Sequence, residues 1–257
     1  MKVLGVDIGG SGIKGAPVSL EKGTLLAERL RIPTPEPATP HAVGDVVKKL
    51  VEKFNWSGAI GCGFPSTVKN GVVLTGANLD PSWAGCNAIQ ILENHTARRV
   101  TILNDADAAG LAEMEFGAGK GQRGLVVFLT LGTGIGSSVF SAGRLVSNTE
   151  LGRLKIHGRE AGLWASARAR ETKHLSWKKW AKRVSEFLEE IEALFSPDLV
   201  IIGGGASKRH EKFFPLLKTG SPLLPAQLEN DAGIIGAALA AKNIARNAKP
   251  TKNSKAA

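Results

Sequence analysis

The sequence predicts an α/β fold in two lobes, and three observations carry that prediction. Short apolar, β-prone stretches alternate with segments whose apolar residues recur at helical spacing. Two strand-like stretches run into similar glycine turns, D-I-G-G-S-G-I at Asp7–Ile13 and T-L-G-T-G-I-G at Thr130–Gly136. The echo reads as a weak internal repeat, one glycine hairpin to each lobe, with chance likeness of two glycine turns as the rival reading. The stretch V-T-I-L-N-D-A-D-A-A, Val100–Ala109, then places a carboxylate at a strand's carboxyl end and a helix's amino end. Open α/β sheets keep their sites there.

Taken in order, Lys2–Asp7 predicts a first strand, Gly9-Gly10-Ser11-Gly12 a turn, and Ile13–Val18 a second strand. Strand, glycine turn, strand is a hairpin pattern. Leu25–Ile32 reads as a third strand, and the proline-rich Thr34–Pro40 excludes helix. Apolar residues at 43, 46, 47, 50, 51 and 54 predict a helix over His41–Phe54. Ala59–Phe64 is a short strand, Lys69-Asn70-Gly71 signals a second hairpin, and Thr75–Trp83 is a polar loop holding Asn78. A helix follows over Asn87–Thr96, then the strand Val100–Leu103 and a helix over Ala106–Phe116, rich in Ala, Leu, Glu and Met. Leu125–Leu131 is a strongly apolar strand entering Gly132–Gly136, with another strand to Phe140. Ala161–Phe195 reads as helical with a break near His174-Leu175-Ser176; Leu199–Ile202 is a buried strand ending at Gly203-Gly204-Gly205. Asp231-Ala232-Gly233 opens an Ala-rich helix to about Arg246, and the basic tail 248–257, without periodic apolar residues, is expected to be disordered.

Composition narrows the class. With 257 residues, 43% hydrophobic and 22% charged, the chain is that of a globular protein with a sizeable core. No apolar run approaches the roughly 18 residues of a membrane span, and Asp7 interrupts the N-terminal stretch too early for a signal-peptide core. The expectation is a cytoplasmic protein without a membrane partner. Cys62 and Cys86 make neither a disulfide framework nor a zinc motif, and no structural metal site is expected. The net charge of +10 includes Lys242, Arg246, Lys249, Lys252 and Lys255, unbalanced near the C-terminus. The remaining excess favours an anionic partner, with solubility alone as the plainer explanation.

Three glycine turns follow apolar strands, at Gly9–Gly12, Gly132–Gly136 and Gly203–Gly205. Such turns expose consecutive N–H groups that an anion can approach closely. Ser11 and Thr133 add hydroxyl donors and Lys14 a cation. None has Walker or dinucleotide-binding spacing, because the first two join strand to strand. Together with Asn104-Asp105 at a fourth strand end they predict phosphate handling. For Asp105 alone the competing reading is a helix N-cap.

At these residues the chain resembles the ROK sugar kinases. The motifs are D-I-G-G-S-G-I-K (Asp7–Lys14), N-D-A-D-A-A (Asn104–Ala109), L-G-T-G-I-G (Leu131–Gly136) and E-L-G (Glu150–Gly152). Longer matches, among them F-G-A-G-K-G, N-T-E-L-G, W-A-S-A-R-A-R and D-A-G-I-I-G-A-A-L-A-A, are similar to the polyphosphate glucokinase branch and run in order from about residue 2 to 241. The resemblance implies a two-lobed, actin-like (ribonuclease H-like) kinase fold with the site in a cleft. Its lobes would be 1–103 plus a returning C-terminal helix at 232–247, and 104–231. It makes Asp105 the general base, and Asn104 and Glu150 sugar ligands, with Asn78 a weaker candidate. Asp7, Gly9, Gly10, Ser11, Lys14, Thr133, Gly134 and Gly204 would hold the phosphoryl donor, polyphosphate or ATP, and Asp7 would order Mg²⁺ through water. A homodimer is implied as well. A carboxylate at a helix start has its charge stabilised by the free amides, as phosphoryl transfer to an alcohol requires.

Two positions depart from the family pattern. Arg153 stands where the motif has histidine; it can pair with Glu150, hold an anionic acceptor as a sugar-site residue, or point outward. A second sugar-binding glutamate is replaced by Gly162, with Glu160 two residues short. The expected activity is phosphorylation of the 6-hydroxyl of glucose or a glucose-like hexose. A non-glucose acceptor and a catalytically weakened sugar-binding protein are the alternatives. A DNA-binding repressor ranks last, since the first strand begins at Lys2 with no helix-turn-helix ahead of it, so no nucleic-acid partner is expected. Lys120, Arg123 and the seven basic residues from Arg168 to Arg183 either line a polyphosphate path or form a solvated helix face.

Overall fold

A computed structural model describes residues 1–76 and 79–247. The expectations for Asn78 and for the tail 248–257 lie outside the described residues. The chain divides into two compact units, Met1–Leu103 with the chain from Ala237, and Asn104–Gly236.

The first unit holds β1 (Lys2–Ile8), β2 (Ile13–Ser19), β3 (Thr24–Leu25), β4 (Leu30–Ile32), α1 (Pro40–Lys53), β5 (Ile60–Phe64), β6 (Val68–Lys69), β7 (Val72–Val73), α2 (Ala88–Thr96) and β8 (Val100–Asn104). Its main sheet runs β3-β2-β1-β5-β8, with β4 also paired to β2. The single third strand expected over 25–32 is thus two short strands, both paired to β2 but separated by exposed residues around Glu28. The α1 periodicity places Val43, Val46, Val47 and Leu50 in the core with Leu4, Val6, Ile60 and Phe64. Thr39 caps α1, accepting from the Ala42 N–H at 3.3 Å. Trp83 seals the core edge-on to Phe64, donating its ring N–H to the Ala38 carbonyl at 2.9 Å.

The second unit begins where β8 passes without a loop into α3 (Asp105–Phe116). It continues through β9 (Val126–Leu131), β10 (Ile135–Ser141), β11 (Arg144–Val146), β12 (Lys155–Ile156), β13 (Arg159–Glu160), α4 (Ala161–Ala165), α5 (Ala167–Thr172), α6 (Trp177–Phe195), β14 (Leu199–Gly203), β15 (Leu223–Pro225) and α7 (Ala232–Ala240). The short α8 (Lys242–Asn247) follows. The sheet order β11-β10-β9-β14-β15 repeats that of the first unit: a central strand has an antiparallel hairpin partner on one side and a parallel strand on the other. The echo between the two glycine turns is therefore an echo of topology.

β9, apart from Thr130, and β14 are apolar because both faces are covered. Val127, Leu129, Val200 and Ile202 pack with Trp180, Val184, Phe187 and Ile191 of α6. Val126, Phe128, Leu199 and Ile201 pack with Leu111 and Met114 of α3. The helical stretch 161–195 breaks near 174–176 as expected, and also at Ser166. That serine is buried and accepts from the Ala169 N–H at 3.1 Å, so it restarts the chain as the cap of α5. The helix expected from 232 to 246 likewise divides at Ala241.

Among the described residues no helix is long and apolar enough to cross a membrane. At Gly236 a methyl group would stand 1.6 Å from the Ala108 carbonyl oxygen, so α7 touches α3 only because that position lacks a side chain. Gly236→Ala is expected to cost about 1–3 kcal/mol or more through overpacking. A thermal melt unchanged by the substitution would contradict this packing.

Candidate active site

The first glycine turn closes a tight hairpin. Ile8 pairs with Ile13 and Asp7 with Lys14, and the Gly9 N–H donates to the Gly12 carbonyl at 3.2 Å. The Thr34 hydroxyl donates to the Gly9 carbonyl at 2.5 Å and the Arg31 guanidinium to the Ser11 carbonyl at 2.7 Å. The loop is held through its carbonyls while Gly10 and Ser11 stay exposed. Lys14 Nζ lies 3.4 Å from Asp7 Oδ2, so the cross-strand register itself makes this half-buried ion pair. Arg31 is a further cation at this turn, and reading the sequence did not single it out. A methyl at Gly12 would fall 2.5 Å from its Nε.

In the second unit the start of α3 separates capping from chemistry. Asn104, not Asp105, is the N-cap: its Oδ1 accepts from the Ala106 N–H at 2.9 Å and the Asp107 N–H at 3.1 Å. The capping alternative for Asp105 is thereby corrected. Asp105 is the first helical residue, with its Oδ1 accepting from the Ala106 N–H at 2.8 Å. An amide side chain suffices for capping, and the Asp105 carboxylate sits in the most electropositive turn of the helix.

Glu150 is fixed by its neighbours along the chain. The buried Ser137 of β10 donates to the Thr149 carbonyl at 2.7 Å and accepts from the Leu151 N–H at 2.9 Å, bracketing Glu150 on both sides. Gly152 lies against the same hairpin, where a Cβ would stand 2.1 Å from the Ile135 carbonyl oxygen. The glycine of E-L-G is therefore demanded by close approach. Arg153 takes the first of its three alternatives: its Nε is 3.7 Å from Glu150 Oε2. Both side chains are open to solvent, at 62% and 37% exposure, so screening keeps the pair weak. Gly162 packs 3.4 Å, measured from the Cβ it lacks, from the Gly152 carbonyl and supplies no carboxylate.

Asp107, in the first turn of α3, is almost fully buried. Its Oδ2 accepts from the Asn148 N–H at 2.8 Å, while Oδ1 has no hydrogen-bond partner among the described residues. Burial pushes its carboxyl up to about 6; the Asn148 bond opposes this and the charge of Glu150 adds to it.

The second and third glycine turns meet. Gly204, with φ +80°, passes so close to β9 that a Cβ would be 2.8 Å from the Leu131 nitrogen and carbonyl oxygen. The Arg168 N–H donates to the Gly132 carbonyl at 3.1 Å, tying the start of α5 to the turn. Beside them opens a cavity of about 710 Å³ lined by Gly132, Thr133 and Gly205, with Arg168, Arg170, Lys208 and Arg209 against one acid, Glu171. The Arg170 guanidinium lies flat over Trp177, 3.7 Å from the ring centre. The basic stretch 168–183 does not share one face. Arg168 and Arg170 line this cavity, Arg183 and Lys173 surround Trp164, and Lys178, Lys179 and Lys182 line a separate groove along α6. Lys120 and Arg123 line a third, smaller hollow near Phe140. Ser137, Asp107, Arg170, Lys208 and Arg209 are site-forming residues to which the sequence assigned no individual role.

Comparison with known proteins gives the family of the chain. The ROK family model matches residues 3–157. The chain belongs to the ROK family. This ROK protein is 49% identical to a polyphosphate glucokinase of Mycobacterium tuberculosis over 237 residues, 92% of this chain and 89% of the relative. Its structure matches the inorganic polyphosphate/ATP-glucomannokinase of Arthrobacter sp. strain KM with a TM-score of 0.90 at 45% identity, covering 94% and 99% of the two chains. It also matches a Streptomyces griseus ROK glucokinase in complex with glucose and AMPPNP, with a TM-score of 0.79 at 25% identity, covering 96% and 100%.

The raised Asp107 value makes stability depend on pH with a definite sign. The folded carboxyl keeps its proton up to about 6, against 3.8 ordinarily, so between those values the folded chain binds more protons than the unfolded one. The stabilising contribution is complete below the unfolded value and is lost as pH rises to the folded one. The loss is on the order of 3 kcal/mol. Asp107→Asn is expected to flatten the fall in unfolding free energy across that window. Parallel urea-denaturation profiles for parent and variant would contradict the assignment.

Proposed function

We propose that this ROK protein is a kinase that transfers a phosphoryl group from polyphosphate, and also from ATP, to the 6-hydroxyl of glucose or a glucose-like hexose. One observation carries the reading. An aspartate at a helix start whose N-cap is the preceding asparagine, and a bracketed glutamate, occur in the same unit as a glycine turn opening on a cation-lined cavity. The activities named for the Mycobacterium and Arthrobacter relatives support the same chemistry.

Asp105 orients the sugar hydroxyl and accepts its proton late, as a weak base suffices when in-line placement and charge neutralisation dominate. Asn104 and Glu150 hold the sugar. Thr133, Gly134 and Gly204 offer backbone and hydroxyl donors to the donor phosphates, and Gly9, Gly10, Ser11 and Lys14 do so from the first hairpin. The four cations of the cavity suit a polyanion extending away from the reacting group. Mg²⁺ favours one or two carboxylates completed by water and substrate phosphates. The half-buried Asp7 fits that donor set and would hold the ion through water, where it would neutralise phosphate charge. The enzyme is a cytoplasmic homodimer in this reading, and light scattering at a dimer mass tests the assembly.

A second acceptor is favoured by one contact. Arg153 places a guanidinium 3.7 Å from the Glu150 carboxylate, where the family motif has a histidine, and so changes the setting of that sugar ligand. Mannose therefore belongs in the acceptor panel.

Asp105→Asn is expected to lower kcat by about 10²–10⁴, with glucose binding by calorimetry retained. A variant keeping more than a tenth of parent turnover would remove Asp105 from the reaction. With polyphosphate as donor, KM is expected to rise steeply between ~50 and ~200 mM salt, as counterion release requires. A salt-independent KM would point away from the cationic cavity.

A further inference from the structure

We infer that Asp107 is a positioning residue for the sugar site: its buried carboxylate ties the N-T-E segment carrying Glu150 to the helical turn carrying Asp105. The inference rests on the sugar roles proposed above for those two residues.

Asp107 is two residues after Asp105 in the first turn of α3, and Asn148 is two residues before Glu150. The bond from the Asn148 N–H to Asp107 Oδ2, 2.8 Å long, joins these segments across 41 residues. Asn148 takes a left-handed conformation, φ +61°, and so turns its N–H into the helix start instead of continuing β11. Ser137 fixes Glu150 from the opposite side through the flanking peptide groups, so two buried polar side chains hold the segment.

The alternative is a carboxylate that merely fills space, and the surroundings argue against it. Ionised Asp107 is disfavoured by burial and by Glu150, and its Oδ1 has no hydrogen-bond partner among the described residues. A residue retained only for packing would do better apolar. A costly, singly bonded acid makes sense where the bond it forms fixes something of use.

The test compares Asp107→Ala, Asp107→Asn and Glu150→Gln, singly and combined, by steady-state kinetics with glucose. Asp107→Ala is expected to raise glucose KM about tenfold or more, the scale of one hydrogen bond to a charged group. The polyphosphate KM should stay within about threefold of the parent, because the donor groups are not tied to this bond. Asp107→Asn keeps an oxygen that can accept from Asn148, so it should recover most of the affinity. On the Glu150→Gln background, Asp107→Ala should add little, because both changes act through the same sugar contact. A folded Asp107→Ala variant with parental glucose KM, or full additivity with Glu150→Gln, overturns the inference. A Glu150→Gln enzyme with unchanged glucose KM instead overturns the sugar-site reading beneath it. Should the alanine variant fail to fold, amide hydrogen exchange of Asn148 in the unmodified protein decides the matter. Exchange slowed further by saturating glucose is expected, and exchange indifferent to glucose overturns the inference.

Discussion

The cap at the start of α3 is the interaction on which the candidate site depends. Asn104 ends β8 and, with one side-chain oxygen, satisfies two of the amides that a helix start leaves open. With the preceding asparagine as cap, the Asp105 carboxylate stands in the positive field of the helix end and accepts from the Ala106 N–H. The abrupt change from strand to helix, with no loop between, makes this placement rigid.

Close backbone approach builds the rest of the second unit's site. Gly152 against Ile135 and Gly204 against Leu131 bring two chain segments to one end of the β9–β10 hairpin, at separations no side chain would permit. The glycines thus serve two ends. They bring the Glu150 segment and the third glycine turn onto the hairpin, and they leave N–H groups at the turn uncovered for an anion. Arg168 and Arg170 reach the same place because buried Ser166 starts a new helix there, and Trp177 beneath Arg170 holds its guanidinium flat.

Several buried polar groups of this unit are tied to loops. Glu113, fully buried, accepts from the N–H groups of Ala118, Gln227 and Leu228, fastening two connecting segments to α3. Ser137 and Asp107 fasten a third. Each uses a side chain from a regular element to satisfy the backbone of an irregular one. Loops are held this way where apolar burial cannot hold them.

Much of this was legible in the residues taken in order. Strand and helix periods located β1, β2, α1, α2, β9 and β14, and the glycine turns fell where strands run out. The N-D step at the end of β8 marked the strand-to-helix change at the candidate site, since strand propensity and helix propensity change at that point. Local pattern determined these because each depends on neighbours within a few residues. It overran at Leu25–Ile32, Ser166 and Ala241, where a sheet edge or a capping hydroxyl broke an otherwise continuous run. Tertiary structure alone decided which distant group each buried polar atom meets: Asp107 with Asn148, Ser137 with the peptides around Glu150, and Glu113 with the chain near Leu228. It also parted the basic stretch 168–183 among separate surfaces, because successive positions on a helix turn to different sides. Such pairings arise only once the chain has closed on itself, and no local period encodes them.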